Sequence, residues 1–181
     1  MTSLVEKILA VHAALDAAGV RHAVGGAIAL GYHVESPRAT VDIDLNITAP
    51  TRQARTVLGA LPGAVTWDDA DLRQISRTGQ VRLWWDETPV DLFFPQHELH
   101  AVIADRAVTV PFAGHDLPVV GATDLTILKA LFDRPKDWVD LGAMLDYGEV
   151  DVAEARSWLV RLMGVDDLRV ARFDELVQAQ R

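Results

Sequence analysis

The stretch VGGAIALGYHVESPRATVDIDLN, residues Val24–Asn46, decides the fold that this chain is expected to adopt. An apolar run ends at Gly25 and Gly26, and a short helix-like segment follows them. Glycine has no side chain to obstruct a phosphate, and the N–H groups at the start of a helix attract anions. The glycine pair is therefore a candidate phosphate cradle.

The same stretch ends in a predicted strand, residues 40–47, which carries Asp42 and Asp44 two positions apart. Side chains alternate faces along a strand, so the two carboxylates are predicted to share one face, roughly 7 Å apart. The apolar residues beside them are predicted to point into a core: Val41, Ile43 and Leu45. Carboxylates suit hard cations, so Asp42 and Asp44 are candidate ligands of Mg²⁺, with Mn²⁺ as the alternative. Together with a phosphate cradle they indicate nucleotide chemistry.

The composition of the 181 residues disfavours several other classes of protein. A formal charge of −9 argues against sequence-blind binding to nucleic acid or anionic membranes, because both reward a basic surface. Without cysteine the chain forms no disulfide, thiolate metal site or catalytic thiol. No stretch approaches the roughly 18 apolar residues of a membrane span, and no signal-like segment opens the sequence. We therefore expect a cytoplasmic protein with no membrane partner.

Hydrophobic periodicity predicts an α+β fold, a mixed sheet flanked by helices and followed by a helical C-terminal part. The predicted helices cover 3–18, 27–34, 51–60, 96–105, 123–132, 136–147, 152–163 and 166–179. The predicted strands cover 20–24, 40–47, a β-rich region over 64–94 with a hairpin of 80–85 and 90–94, and a second hairpin of 107–112 and 117–120. The expected division is a catalytic αβ core over 1–121 and a helical part over 122–181.

Asp91, in the apolar strand PVDLFF, is the candidate for a third carboxylate. A charged side chain on such a strand is costly to bury unless it meets a partner or a metal ion. The alternative is an edge-strand aspartate that faces water. Asp86 is the nearest rival, but it lies in the turn of the hairpin, where a solvated aspartate is common.

The segment GGAIALGYHVESPRATVDIDL resembles the signature of the nucleotidyltransferase superfamily typified by DNA polymerase beta, a glycine pair followed by an apolar-flanked Asp-x-Asp. Within that superfamily the chain looks most like the AbiEii/MenT group of bacterial nucleotidyltransferase toxins. The resemblance implies that Asp42 and Asp44 bind two metal ions and that Asp91 ligates the catalytic metal or takes a proton. It also implies that the glycine pair cradles a nucleoside triphosphate.

The later segment LTILKALFDRPKDWVDL matches a second motif of the AbiEii/MenT group. The matching residues are Leu125, Lys129, Arg134, Lys136, Asp137 and Asp140. The resemblance implies that Lys129 contacts the nucleotide phosphates and that Asp140 supports the site. By its pattern alone Lys129 is a lysine that snorkels from an apolar helix face. Arg134 is a candidate phosphate ligand, with a solvated charged turn as the alternative.

The candidate site also includes two residues that precede Asp42, namely Arg38 and Thr40. Arg38 is placed to brace a γ-phosphate with its planar fork, with a loop salt bridge as the alternative. Thr40 shares the predicted face of Asp42, with ordinary strand propensity as the alternative. A local basic surface for an RNA acceptor is a further hypothesis, weakened by nearby aspartates, for Arg52, Arg55, Arg73, Arg77 and Arg82.

The leading hypothesis is a Mg²⁺-dependent nucleotidyltransferase that moves a nucleoside monophosphate from an NTP to a hydroxyl and releases pyrophosphate. The toxin resemblance implies that the acceptor is the 3′ end of tRNA and that a cognate antitoxin is the partner. An antibiotic nucleotidyltransferase is one alternative, since an acidic protein suits a cationic aminoglycoside. A non-catalytic binding protein with the same fold is the other.

Overall fold

The computed structural model describes residues 2–180, apart from the side chain of Ala104. Within them lies a seven-stranded mixed sheet of strand order β3-β4-β5-β2-β1-β7-β6. The strands are β1 (His22–Val24), β2 (Ile43–Ile47), β3 (Val65–Thr66), β4 (Gln80–Trp85), β5 (Thr88–Phe93), β6 (Val108–Phe112) and β7 (His115–Val119). The pairs β2·β5 and β1·β7 are parallel, and the other neighbours are antiparallel.

Helices flank the sheet and form the C-terminal part, which confirms the predicted α+β class. They are α1 (Leu4–Ala17), α2 (Gly26–Leu30), α3 (Ala54–Ala60), α4 (Asp69–Thr78), α5 (Glu98–Asp105), α6 (Ala122–Phe132), α7 (Pro135–Tyr147), α8 (Val152–Met163) and α9 (Leu168–Ala179), with a 3-10 turn over Thr51–Gln53. Among residues 2–180, no helix has the length and apolar character needed to cross a membrane.

The chain divides into two compact units. The first comprises Ala39–Val120 together with the chain up to Ile28, and it contains the whole sheet. The second comprises Ala29–Arg38 together with the chain from Gly121 onward, and it contains α6 to α9. The contiguous division at residues 121 and 122 that the sequence predicts stays a prediction, and the short segment before Ala39 was not expected in the second unit.

The β4–β5 hairpin shows how the first unit sorts its side chains. Alternate residues of β4 are buried, namely Val81, Leu83 and Trp85, and those between them are exposed. A two-residue turn joins the strands at Asp86, which adopts a positive φ of 52°. Buried Lys7 of α1 fixes this turn by donating to the Trp85 carbonyl at 2.8 Å and to the Thr88 hydroxyl at 3.0 Å. Each side chain of the hairpin is thereby assigned to one face.

The structure differs from the sequence prediction at three places. The β-rich region over 64–94 contains a helix, α4, whose N-terminus is capped by Asp68. The strand predicted over 40–47 begins only at Ile43, so Val41 lies outside it and is 69% exposed instead of buried. The helix predicted over 27–34 is the shorter α2, which ends at Leu30. The other predicted helices and both hairpins are present within a few residues of their expected bounds.

Candidate functional site

A row of charged side chains crosses three neighbouring strands of the first unit. In the parallel register of β2 and β5, Asp44 lies directly beside Asp91. The residues that flank them are apolar and buried: Ile43 beside Val90 and Leu45 beside Leu92. Matched positions on adjacent strands share a face, so both carboxylates stand on the face opposite this apolar layer, on strands about 4.8 Å apart. The structure thus brings two of the three predicted carboxylates together.

Arg82 of β4 continues the row on the other side of Asp91. The two residues are opposite each other in the antiparallel β4–β5 register. The Arg82 guanidinium donates to both carboxylate oxygens of Asp91, from Nε at 2.8 Å and from Nη2 at 2.7 Å. This two-bond fork is the strongest form of arginine–carboxylate pairing. We refer to Arg82, Asp91 and Asp44 as the carboxylate row.

Asp42 belongs to the surroundings of this row although it precedes β2. The pKa of Arg82 is raised above its ordinary value, chiefly by the hydrogen bonds and charge of Asp91 and further by the charges of Asp42 and Asp44. The Asp42 backbone N–H donates to the Thr40 hydroxyl at 3.2 Å, so Thr40 shapes the approach to the strand. Three carboxylates, those of Asp42, Asp44 and Asp91, therefore surround the single positive charge of Arg82.

The glycine pair lies against Asp44. The Gly25 N–H donates to the Asp44 carbonyl at 2.8 Å. Gly26 has a φ of +55°, and a Cβ built there would overlap the Asp44 carboxylate. A Cβ at Gly25 would lie 2.8 Å from the Asn46 side-chain nitrogen. Close approach to β2 therefore explains both glycines, and the predicted phosphate cradle stays a prediction.

The donor chemistry of Asp42, Asp44 and Asp91 fits a hard divalent cation, because all three offer carboxylate oxygens from one region of the sheet. Among the residues that the structure describes, however, no three acidic, histidine or cysteine side chains converge as a ready-made metal cluster. One of the three, Asp91, has both oxygens on Arg82. The residues therefore fit Mg²⁺ in donor chemistry, and Asp91 would have to release Arg82 to serve as a ligand.

The second unit contains a separate group of charged residues, the Lys129 cluster, formed by Lys129, Asp137, Asp140, Arg38 and Arg134. Lys129 of α6 is 3% exposed and donates to Asp140 of α7 at 2.6 Å. Asp137 is fully buried and lies 3.6 Å from the Lys129 Nζ. The motif residues Lys129 and Asp140 are thus in contact, and their predicted roles at a nucleotide stay predictions.

Two arginines reach this cluster from its exposed side. Arg38 approaches Asp140 with Nε and Nη2, each at 3.4 Å, and Arg134 holds Asp137 with Nε at 2.6 Å and Nη2 at 3.1 Å. Burial alone would raise the pKa of Asp137, but the hydrogen bonds and charge of Arg134, with the charge of Lys129, lower it overall. Both arginines thus already have carboxylate partners, as the loop salt bridge proposed for Arg38 requires. Lys136 is exposed.

The sequence analysis did not assign Arg82 to the site, but placed it with a basic surface. The signal was the symmetry of the hairpin, because Arg82 and Asp91 lie equally far from the two-residue turn that begins at Asp86. The predicted turn extended through Pro89, which obscured this pairing. With a turn of two residues, Arg82 lies opposite Asp91 and is its partner.

Comparison with solved structures identifies the fold. Over 98% of this chain and 93% of its own, an antigenic nucleotidyltransferase-like protein from Paracoccidioides brasiliensis matches with a TM-score of 0.51 and 15% identity. The structure of ANT(2″)-Ia in complex with adenylyl-2″-tobramycin matches over 98% of this chain and 96% of its own, with a TM-score of 0.52 and 15% identity. Neither a family model nor a curated protein sequence matches the chain. The chain therefore has the fold of nucleotidyltransferase-like proteins.

Proposed function

We propose that this protein is a metal-dependent nucleotidyltransferase, which moves a nucleoside monophosphate from an NTP to an acceptor hydroxyl and releases pyrophosphate. The observation that carries the proposal is the register of β2 and β5, which sets Asp44 beside Asp91 on the polar face of the sheet. Asp42, two residues before Asp44, adds a third carboxylate whose charge acts on the same arginine. Carboxylates side by side on adjacent strands repel each other unless cations offset the repulsion. Arg82 supplies one such cation, and we propose that divalent ions supply the others.

Asp42, Asp44 and Asp91 are the residues that would hold the divalent ions. When bound, such ions lower the pKa of an attacking hydroxyl and neutralise the triphosphate. We assign the proton of the acceptor hydroxyl to Asp91, the middle member of the carboxylate row, once Arg82 has released its oxygens. Gly25 and Gly26 are the proposed phosphate cradle by the resemblance alone, since the Asp44 side chain itself fills the space beside Gly26.

The resemblance to AbiEii/MenT toxins supports the 3′ end of tRNA as the acceptor and a cognate antitoxin as the partner. It also implies a phosphate contact for Lys129, and Arg38 and Arg134 are candidate phosphate ligands by their chemistry. The Lys129 ammonium already donates to Asp140 at 2.6 Å, and both side chains are buried, so a phosphate would have to compete with Asp140 for Lys129. We therefore propose Lys129 and Asp140 chiefly as supports of the second unit, with the arginines as the more accessible phosphate ligands.

A small cationic acceptor is the second candidate. A formal charge of −9 attracts amino-sugar antibiotics and repels RNA. One neighbour of the same fold, ANT(2″)-Ia, is described in complex with an adenylylated tobramycin. The two candidates use the same carboxylates, so the acceptor alone distinguishes them.

The test is a transfer assay with each of the four labelled NTPs and Mg²⁺, with total tRNA in one series and a panel of aminoglycosides in the other. Asp44→Asn is expected to reduce transfer about a hundredfold or more, because it removes a charged ligand. Asp174→Asn is the control for loss of a carboxylate outside the carboxylate row, since Asp174 lies on α9 and pairs with Arg156. Its transfer should equal that of the wild type.

The acceptor that takes the label decides between the candidates. Label on tRNA supports the toxin-type transferase, and label on an aminoglycoside supports the antibiotic-modifying one. Binding of NTP without transfer to either acceptor would favour a non-catalytic binding protein of the same fold. Transfer that survives Asp44→Asn would contradict the assignment of the site.

A further inference from the structure

Arg82 occupies both oxygens of the Asp91 carboxylate, so it competes with any metal ion that would bind Asp91. Both oxygens of Asp91 accept hydrogen bonds from one guanidinium. The Asp91 side chain is only 14% exposed, whereas that of Arg82 is 52% exposed. The carboxylate is therefore fixed in the sheet, and the arginine is the member of the pair that is free to swing into solvent.

The backbone does not permit Arg82 to leave by a shift of the hairpin. The short turn at Asp86 sets the register that places Arg82 opposite Asp91. Lys7 is buried and holds both sides of this turn through the Trp85 carbonyl and the Thr88 hydroxyl. A slip by one residue would also expose the buried face of β4. Release of Asp91 therefore requires only rotation of the arginine side chain.

A divalent ion and the Arg82 guanidinium cannot both lie against Asp91 without strong repulsion, because like charges within a few ångström repel even at a partly solvated site. The guanidinium also lies in the field of Asp42 and Asp44, the other two carboxylates of the proposed metal site. It thus neutralises part of the charge that an arriving ion would neutralise. Arg82 has the location, charge and solvent exposure expected of a substitute cation.

We propose that Arg82 occupies the cation position of Asp91 until a divalent ion arrives, so that the ion binds Asp91 by exchange with Arg82. The inference rests on the proposed function only in taking Asp91 as a metal ligand. In this mechanism Arg82 is a positioning residue, which keeps the third carboxylate ordered and lowers the affinity for metal. Once displaced, its guanidinium is available to an anionic group of the substrate.

The test measures Mn²⁺ affinity by isothermal calorimetry on the full chain without nucleotide. Arg82→Gln removes the competing charge and is expected to bind Mn²⁺ roughly fivefold to tenfold more tightly than the wild type, since a half-exposed ion pair contributes modestly. Arg82→Lys keeps the charge but loses the fork, and its affinity should stay within about twofold of the wild type. Arg156→Gln is the matched control, because Arg156 forms the same two-bond fork with Asp174.

A double-mutant cycle makes the exchange specific to Asp91. In an Asp91→Asn background, Arg82→Gln should no longer increase the affinity for Mn²⁺, because the ligand for which the two cations compete is gone. Unfolding curves for each variant confirm that it is folded. Equal or weaker binding by Arg82→Gln, a gain that persists without Asp91, or no Mn²⁺ binding by any variant would each overturn the proposal.

The outcome separates this inference from the proposed function. Tighter Mn²⁺ binding by Arg82→Gln without transfer by any variant would support exchange and contradict the enzyme. Transfer by the wild type, with metal affinity independent of Arg82, would support the enzyme and contradict exchange.

Discussion

The carboxylate row of the first unit and the Lys129 cluster of the second use the same residue types in opposite ways. In the row, Asp91 meets the half-exposed Arg82, and Asp44 stands beside it on a polar sheet face. In the cluster, Lys129, Asp137 and Asp140 are at least nine-tenths buried, and basic groups contact both acids. The row keeps surplus negative charge near solvent, whereas the cluster pairs its charges in the interior.

This difference teaches which charges belong to function and which to stability. When one member of a buried ion pair is removed, its partner remains as an uncompensated charge in an apolar environment. The free energy of unfolding therefore decreases. A carboxylate near solvent has little effect on folding but a large one on the cations it attracts. Substitutions in the cluster should therefore change the free energy of unfolding, and substitutions in the row should change binding and transfer.

The largest effect on stability is expected for Lys129→Met. The substitution leaves buried Asp140 with the longer 3.4 Å contacts of Arg38 in place of its 2.6 Å partner, and it weakens the field at Asp137. Removal of one member of a buried pair costs about 3–5 kcal/mol, which urea unfolding followed by circular dichroism would measure.

The matched comparison is the double substitution Lys129→Met with Asp140→Leu. It removes the stranded charge together with its partner, so it should recover a large part of the loss, because hydrophobic replacement of a whole pair is often neutral. A loss below about 1 kcal/mol for the single variant would mean that the cluster behaves like a solvated surface pair. The proposed contrast between the two regions would then fail.

A smaller effect is expected for Gly26→Ala, which acts on the carboxylate row. An alanine at the φ of +55° is strained, and its Cβ would overlap the Asp44 carboxylate. Left-handed strain and forced displacement together should cost about 2–3 kcal/mol, measured by urea unfolding. The displaced carboxylate should also bind Mn²⁺ more weakly than in the wild type.

Gly19→Ala is the control for strain alone. Gly19 has a similar φ of +67°, but a Cβ there would meet nothing within 4 Å. It should lose only about 1 kcal/mol and keep the wild-type affinity for Mn²⁺. Equal losses of affinity in the two variants would show that Gly26 serves the backbone and does not shape the space around Asp44.

Strand β2 from Ile43 onward and the C-terminal helices were predictable because their apolar spacing is regular, and α7 and α8 also have glycine or proline at their ends. Helix α4 was not, because most of its residues are polar and Ile75 is its only fully buried residue among those described. Its ends were nevertheless marked by Asp68, which forms a capping box with Asp71, and by Gly79 in the left-handed conformation. End signals alone therefore identify this helix better than its interior.

The charged residues divide in the same way. Asp44 and Asp91 were predictable, since a carboxylate on an apolar strand requires a reason. Their pairing depends on the parallel register of β2 and β5, a contact between distant segments that no local pattern contains. For the same reason the sequence named Lys129 and Asp140 together with Arg134 and Asp137 but gave no sign that Arg38 joins them. The sequence thus identifies the individual charged residues, whereas the partners that neutralise them are known only from the folded structure.

The smallest effect concerns pH and again distinguishes the two units. In the first, the His22 Nδ1 donates to the Val20 carbonyl at 2.8 Å, so its Nε2 is the acceptor of a proton from His12 Nδ1 at 2.9 Å. Burial lowers the pKa of His22 below its usual value of 6.5, although the bond to Val20 opposes this shift. The unfolded chain then binds more protons, so stability falls as pH decreases from about 6.5.

The second unit should respond only in stronger acid. The lowered pKa of Asp137 gives stability that is present above the usual aspartate value of 3.8 and is lost as pH falls below it, through the folded-state value. Hydrogen exchange of backbone amides at pH 7 and pH 5 would measure each unit separately. We expect protection in β1 and its neighbours to decrease at pH 5, by less than in Gly26→Ala, while α6 and α7 stay protected. His22→Gln should reduce the decrease because it keeps a polar side chain that does not titrate. The remainder should come from His97 and His100, whose pKa values burial also lowers, and an unchanged decrease would assign the whole effect to them.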